Sequence, residues 1–252
     1  MKGAIAPVLL VGLLLAAWEL ACRTLQLPVY FLPPPSAVAR ALIDGAPLLL
    51  SSAWNTFIMA LTALAIASAI ACALALGAGL NRSIEQALRP LAVAMQVTPV
   101  VALAPLFEIW AGVDHPRLAV VALTVVVAFF PIYSGAVSGL RAADPDLERL
   151  FDLYGARPLQ RLTKLRIPSA VPFLLEGHKV AVGLALVGAV VAEFAAGAGG
   201  AQGLAWRILE AGNRLQTAKM MAALIVLALM GAALHAVFAV LERRALAWWR
   251  GR

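Results

Sequence analysis

Six long apolar runs, separated by short segments where charge and proline collect, set the rhythm of this chain. They fall at about residues 4–21, 53–80, 90–110, 118–139, 177–196 and 220–241. Each approaches the roughly 20 residues that an α-helix needs to cross ~30 Å of hydrocarbon. The pattern predicts an all-α, polytopic membrane protein with six transmembrane helices. The first run follows Lys2 as a secretory leader would, but it is too long for a leader core. Trp18-Glu19 also stands where small residues should mark a cleavage site, so it reads as a retained span. Residues 1–52 then form a first helix with an external linker, and 53–252 a five-helix core.

The connecting segments carry local signals. In the linker, Leu32-Pro33-Pro34-Pro35-Ser36 predicts extended backbone. Ser36 is a candidate cap for a short amphipathic helix bearing Val38, Ala41, Leu42 and Leu49. Pro99 and Pro105 lie inside the third run and Pro131 inside the fourth, and each predicts a kink. The segment 140–176 is amphipathic and basic. Asp144-Pro145 is a helix start, and Leu147, Leu150, Phe151 and Tyr154 recur on one face. Gly155 suits a left-handed stop. Pro158 opens a second short helix with Leu159, Leu162 and Leu165 on its apolar side, and Pro168 and Pro172 are expected to close it.

Composition fits this picture. Apolar residues make up 63% of the chain and charged residues 13%, against about a half and a quarter in soluble domains. The net charge of +7 is distributed as topology rather than as a nucleic-acid surface. With the N-terminus inside, 14 of the 20 Lys and Arg residues fall on the cytoplasmic side, which places both termini in the cytoplasm. Cys22 and Cys72 have no metal-like spacing and read as small apolar fillers. There is no phosphate-binding glycine loop and no catalytic cluster, so neither an enzyme nor a cofactor is expected.

From the residues alone, the 140–176 segment is either a helix pair on lipid headgroups or a docking element for a cytoplasmic partner. Gly155, Leu165, Pro168, Pro172 and Gly177 resemble the cytoplasmic loop of ATP-binding-cassette (ABC) importer permeases. Arg149-Leu150-Phe151 stands where that family shows E-A-A, with Glu148 one place early. Leu32-Pro33-Pro34-Pro35-Ser36, Thr98-Pro99, Ala104-Pro105-Leu106-Phe107, Trp110-Ala111-Gly112, Phe129-Phe130-Pro131 and Val191-Ala192-Glu193 are similar to the subgroup serving nitrate, sulfonate, taurine and pyrimidine precursors. The resemblance implies a type I (MetI-like) permease fold. It also implies a homodimeric pathway, a dimer of cytoplasmic ATP-binding subunits and an extracytoplasmic substrate-binding protein, in a bacterial inner membrane. Asp144, Leu147, Leu150, Phe151, Tyr154, Gly155, Leu165, Pro168 and Pro172 would then form the ATPase-coupling loop.

Polar groups within the runs are candidates for the pathway. Glu193 is the foremost, because a carboxylate at bilayer depth is costly unless it meets water or a partner. Glu108, Gln96 and Tyr133 follow, each with the alternative of bonding a neighbouring helix. An ion-gradient-driven secondary transporter is the rival class. Such folds show interrupted helices in paired repeats, whereas here the prolines gather in the third and fourth runs.

Overall fold

The computed structural model describes residues 2–112, 114–195 and 202–250, and their regular structure is entirely helical. In order these are α1 (Lys2–Thr24), α2 (Pro35–Asp44), α3 (Ala46–Leu80), α4 (Arg82–Val97), α5 (Val100–Ala111), α6 (Pro116–Arg141), α7 (Pro145–Leu153) and α8 (Pro158–Arg161). A π-helical turn, Leu162–Arg166, joins α8 to α9 (Ile167–Ala195), and α10 (Leu204–Asn213) and α11 (Thr217–Arg250) follow. Among the described residues, four helical segments are long and apolar enough to cross a membrane: α3, α6, α8 through α9, and α11. A fifth candidate is the α4–α5 pair, bent by 102°. The predicted third span is thus sharply bent, in the form of a broken span or a re-entrant loop. Pro99 cannot donate to the helical ladder and pushes Thr98 into extended backbone. The glycine-rich stretch 197–201 lies outside the described residues.

The chain divides into two compact units, Met1–Asn55 with Gln202–Met230, and Thr56–Ala201 with Gly231–Arg252. In the first, Leu49, Leu204, Ile208, Ala222 and Ala223 form the core. Ser36 does not cap α2 as the sequence suggested, since it lies in the first turn and Pro34 occupies the cap position. The cap comes from α1 instead. The Glu19 carboxylate accepts from the Ser36 backbone N–H at 3.0 Å and from its hydroxyl at 2.8 Å, placing negative charge where the helix leaves its N–H groups unpaired.

The second unit is built on small residues. Along α3, Ala63, Ala67, Ala71, Ala75 and Ala78 are all buried, while Ile58, Leu61, Ile66, Ile70 and Leu76 are exposed. Large side chains outside and alanines inside invert the soluble pattern. The reason is physical: in lipid, apolar surface gains little by leaving its solvent, and association follows close van der Waals approach. Three helices meet here, as Ala67, Ala71 and Ala75 join Phe129, Ile132 and Tyr133 of α6 and Ala181 and Ala185 of α9 in one core.

The helices α6 and α9 approach still closer. A Cβ on Gly177 would lie 2.6 Å from the Pro131 carbonyl oxygen, and one on Gly139 would lie 2.7 Å from Ala170 Cα. Beside this seam, His178 of α9 is held through both ring nitrogens, by Ser68 Oγ at 2.7 Å and the Leu174 carbonyl at 2.8 Å. The Leu174 carbonyl accepts only, so Nδ1 carries a proton. Lys179 pairs with Glu242 of α11 at 3.0 Å.

Pro168 and Pro172 do not end a helix; they lie within α9. Two devices keep the segment continuous. The π turn lengthens the ladder just before Pro168, with Ile167 N–H donating to the Leu162 carbonyl, so the missing proline donor falls where the register has already shifted. Pro172 would leave the Pro168 carbonyl without its helical donor, and the Trp249 indole N–H supplies one at 3.0 Å.

Candidate functional site

The loop between α6 and α9 folds as the sequence indicated up to Gly155. Asp144 caps α7, its carboxylate accepting from Asp146 N–H at 2.8 Å. Gly155 follows at φ +62°, a left-handed turn that favours glycine. The polar side of α7 then turns inward upon the π turn. Glu148 accepts from Arg166 Nε at 2.7 Å and pairs with Arg161 at 3.4 Å, and Arg161 also pairs with Asp152. Arg166 reaches on to the Gly79 carbonyl of α3 at 3.1 Å. Zipping the charges together leaves the apolar side exposed. Leu147 and Leu150 are open to solvent, Leu153 is 85% and Tyr154 81% exposed, and Phe151 is half-buried. Leu165 points the other way and is buried.

The four polar candidates within the runs are not brought to one place. Gln96, near the end of α4, lines a cleft of about 560 Å³ whose other walls come from α6 and α9. Tyr133 sits in the core, stacked on Phe129 at 5.5 Å, its hydroxyl buried without a partner among the described residues. Glu193 is 1% exposed, and its carboxylate accepts from the Thr56 hydroxyl of α3 at 2.7 Å. Glu108 on α5 is half-buried, with one carboxylate oxygen unpartnered among the described residues. Residues that sequence reasoning left aside complete the cleft: Ser134 and Ser138 of α6, and Glu176 of α9. Glu176 was assigned to the end of the loop because Pro168 and Pro172 read as helix breakers.

The Thr56–Glu193 bond ties α3 to α9 and is open to test. Thr56→Val keeps the shape and removes the donor. Interhelical hydrogen bonds in membranes contribute roughly 0.6 to 1.7 kcal/mol, so a destabilisation of about 1 kcal/mol is expected in unfolding by mixed detergent micelles. No change in the midpoint would show that this bond contributes nothing.

The described residues thus form a helical membrane protein with close-packed apolar helices and, between α6 and α9, a helix pair with its ion pairs inside and an apolar face outside. Residues 66–246 match the family described as binding-protein-dependent transport system inner membrane component, and the chain belongs to that family. A probable ABC transporter permease protein of Haemophilus influenzae is 32% identical over 88% of each chain. The formylaminopyrimidine transport permease protein ThiX of Halalkalibacterium halodurans is 33% identical over 97% of this chain and 96% of its own. A solved amino acid ABC transporter with histidines shares the fold, with a TM-score of 0.66 at 14% identity over 80% of this chain and 96% of that one. The chain is therefore the multi-pass permease subunit of an ABC importer. ATP hydrolysis belongs to a separate ATP-binding subunit, and solute is delivered by a substrate-binding protein. Family membership decides against the ion-driven alternative.

Proposed function

We propose that two copies of this permease form a pathway whose inner half runs along the cleft between α4, α6 and α9, and that the exposed face of α7 docks the ATP-binding subunit. The observation that carries the reading is the α7 face itself. Leucines and a tyrosine stand in solvent at the end of a helix pair joined internally by Glu148, Arg161 and Arg166, the arrangement expected of a helix laid into a partner's groove. Asp144 and Gly155 set its start and stop, while Leu165, Pro168 and Pro172 join it to α9.

The six-span topology includes α1, whose 23 residues are long enough to cross at 1.5 Å per residue. The distribution of Lys and Arg supports a topology with both termini in the cytoplasm. For the solute, the resemblance supports the nitrate, sulfonate, taurine and pyrimidine-precursor group. Glu193 acts in this reading as a buried tie beside the pathway, with Glu108 nearer the opposite end of the broken span.

The docking assignment is tested by purifying the tagged complex in mild detergent. Leu150→Asp and Leu153→Asp are each expected to lose the ATP-binding subunit while the permease stays inserted. Full retention of that subunit with normal ATP-dependent uptake would refute a docking role for this face.

A further inference from the structure

We propose that Glu176 makes the cleft selective for uncharged or cationic aromatic solutes bearing N–H donors, and hostile to anions such as sulfonates. The proposal rests on reading the cleft as part of the translocation pathway. Glu176 lies near the middle of the helical segment 158–195, which is long and apolar enough to cross a membrane. Its neighbour Gly177 abuts the carbonyl of Pro131, and α6 continues from there to Arg141, roughly 15 Å further along the helix. The Glu176 side chain is exposed, with no ion pair or hydrogen bond among the described residues. A carboxylate left open at that depth is disfavoured against lipid and favoured against a water-filled or solute-filled space.

The rest of the lining fits one chemistry. Among the described residues no Lys, Arg or His lines the cleft, so none of them balances an anion there. Gln96, Ser134 and Ser138 supply hydrogen-bonding groups that can donate or accept. Phe130 of α6 and Phe173 of α9 offer ring faces and edges for a flat aromatic body. The volume, about 560 Å³, lies in the range of small-molecule pockets. A heteroaromatic ring held between the phenylalanines, with an amino group directed at Glu176, meets every one of these groups. A sulfonate or nitrate meets an uncompensated like charge.

The test uses the intact complex in lipid nanodiscs, with Cys22→Ala, Cys72→Ala and Ser138→Cys in the permease. Ser138 is exposed, so the new thiol reports on the cleft. Cationic and anionic methanethiosulfonate reagents of similar size are compared, each normalised to its rate with a free thiol. The cationic reagent is expected to react about tenfold faster, the scale set by one unit charge a few ångströms away in a partly aqueous site. Adding Glu176→Gln should bring the ratio close to one. Formylaminopyrimidine should slow the labelling and taurine should not. A ratio near one with Glu176 in place, or one unchanged by Glu176→Gln, would overturn the electrostatic role. Protection by taurine but not by formylaminopyrimidine would overturn the solute class. If neither reagent reaches the thiol, the cleft is sealed by lipid or the second copy, and the pathway reading itself fails.

Discussion

Gly177→Ala is expected to destabilise the protein by about 1–3 kcal/mol, the usual penalty for overpacking a tight core, or to remove it from the membrane altogether. The added Cβ would lie 2.6 Å from the Pro131 carbonyl oxygen and 3.5 Å from Gly135 Cα. Both neighbours are backbone, so no side chain can swing aside, and the two helices must separate. Gly135 and Gly139 face the same seam, with Cβ positions 2.7 Å from the Phe173 carbonyl oxygen and from Ala170 Cα. In lipid the seam has little hydrophobic driving force to offset a gap, so close approach is the main attraction lost. Gly183, on the same helix, provides the control. A Cβ there meets nothing within 4 Å, and Gly183→Ala gains helix propensity. Thermal aggregation followed by size-exclusion chromatography in detergent should separate the two variants clearly. Equal melting would mean that the α6–α9 seam tolerates widening and does not hold the unit together.

The second large effect is expected at Arg166, and it is on coupling rather than folding. Its guanidinium joins Glu148 of α7 at 2.7 Å to the Gly79 carbonyl at 3.1 Å. Gly79 stands at the end of α3, where carbonyls have no helical donor. One planar fork therefore holds the α7–α8 helix pair to two long apolar helices at once. Arg166→Ala should keep the ATP-binding subunit bound, because the α7 apolar face is untouched, yet drop solute moved per ATP hydrolysed by at least about tenfold, the lower end of what loss of a charge-assisted pair worth ~1.5–3 kcal/mol corresponds to. Arg166→Lys should recover only part, since an ammonium cannot serve both acceptors in the same plane. The contrast with Leu150→Asp, which should lose the subunit, separates docking from transmission. Transport and hydrolysis unchanged in Arg166→Ala would show that force passes by another route.

How much of this was legible beforehand depends on which physics each feature uses. The all-helical membrane character rests on summed hydropathy, and Asp144 and Gly155 rest on local backbone preferences, so both could be read from the chain. Pro168 and Pro172 misled because proline's local rule is to break helices. Their rescue comes from the π turn and from Trp249, some 80 residues distant in sequence. Glu176, at the end of the same 140–176 segment, lies within α9 with them. The alanine stripe of α3 was present in the sequence at helical spacing, but a span that is apolar all round gives hydropathy no face to choose. The signal there was side-chain size. Tyr133 and Glu193 show the opposite limit, since polarity inside a span cannot say whether a group faces solute or a neighbouring helix.

The continuity of α8, the π turn and α9 has a mechanical consequence. Residues 158–195 form one helical segment of 38 residues, roughly 57 Å long at 1.5 Å per residue. Its α8 end sits against the charges of α7, its middle walls the cleft, and its far end holds Glu193. Such a piece is a lever. Tilting it by ~10° about the glycine seam near Gly177 would sweep each tip through about 5 Å, given a half-length of roughly 28 Å. The seam, where Gly135, Gly139 and Gly177 let the backbones meet, is then the fulcrum, and a stroke delivered at the α8 tip is returned at the Glu193 tip in the opposite direction.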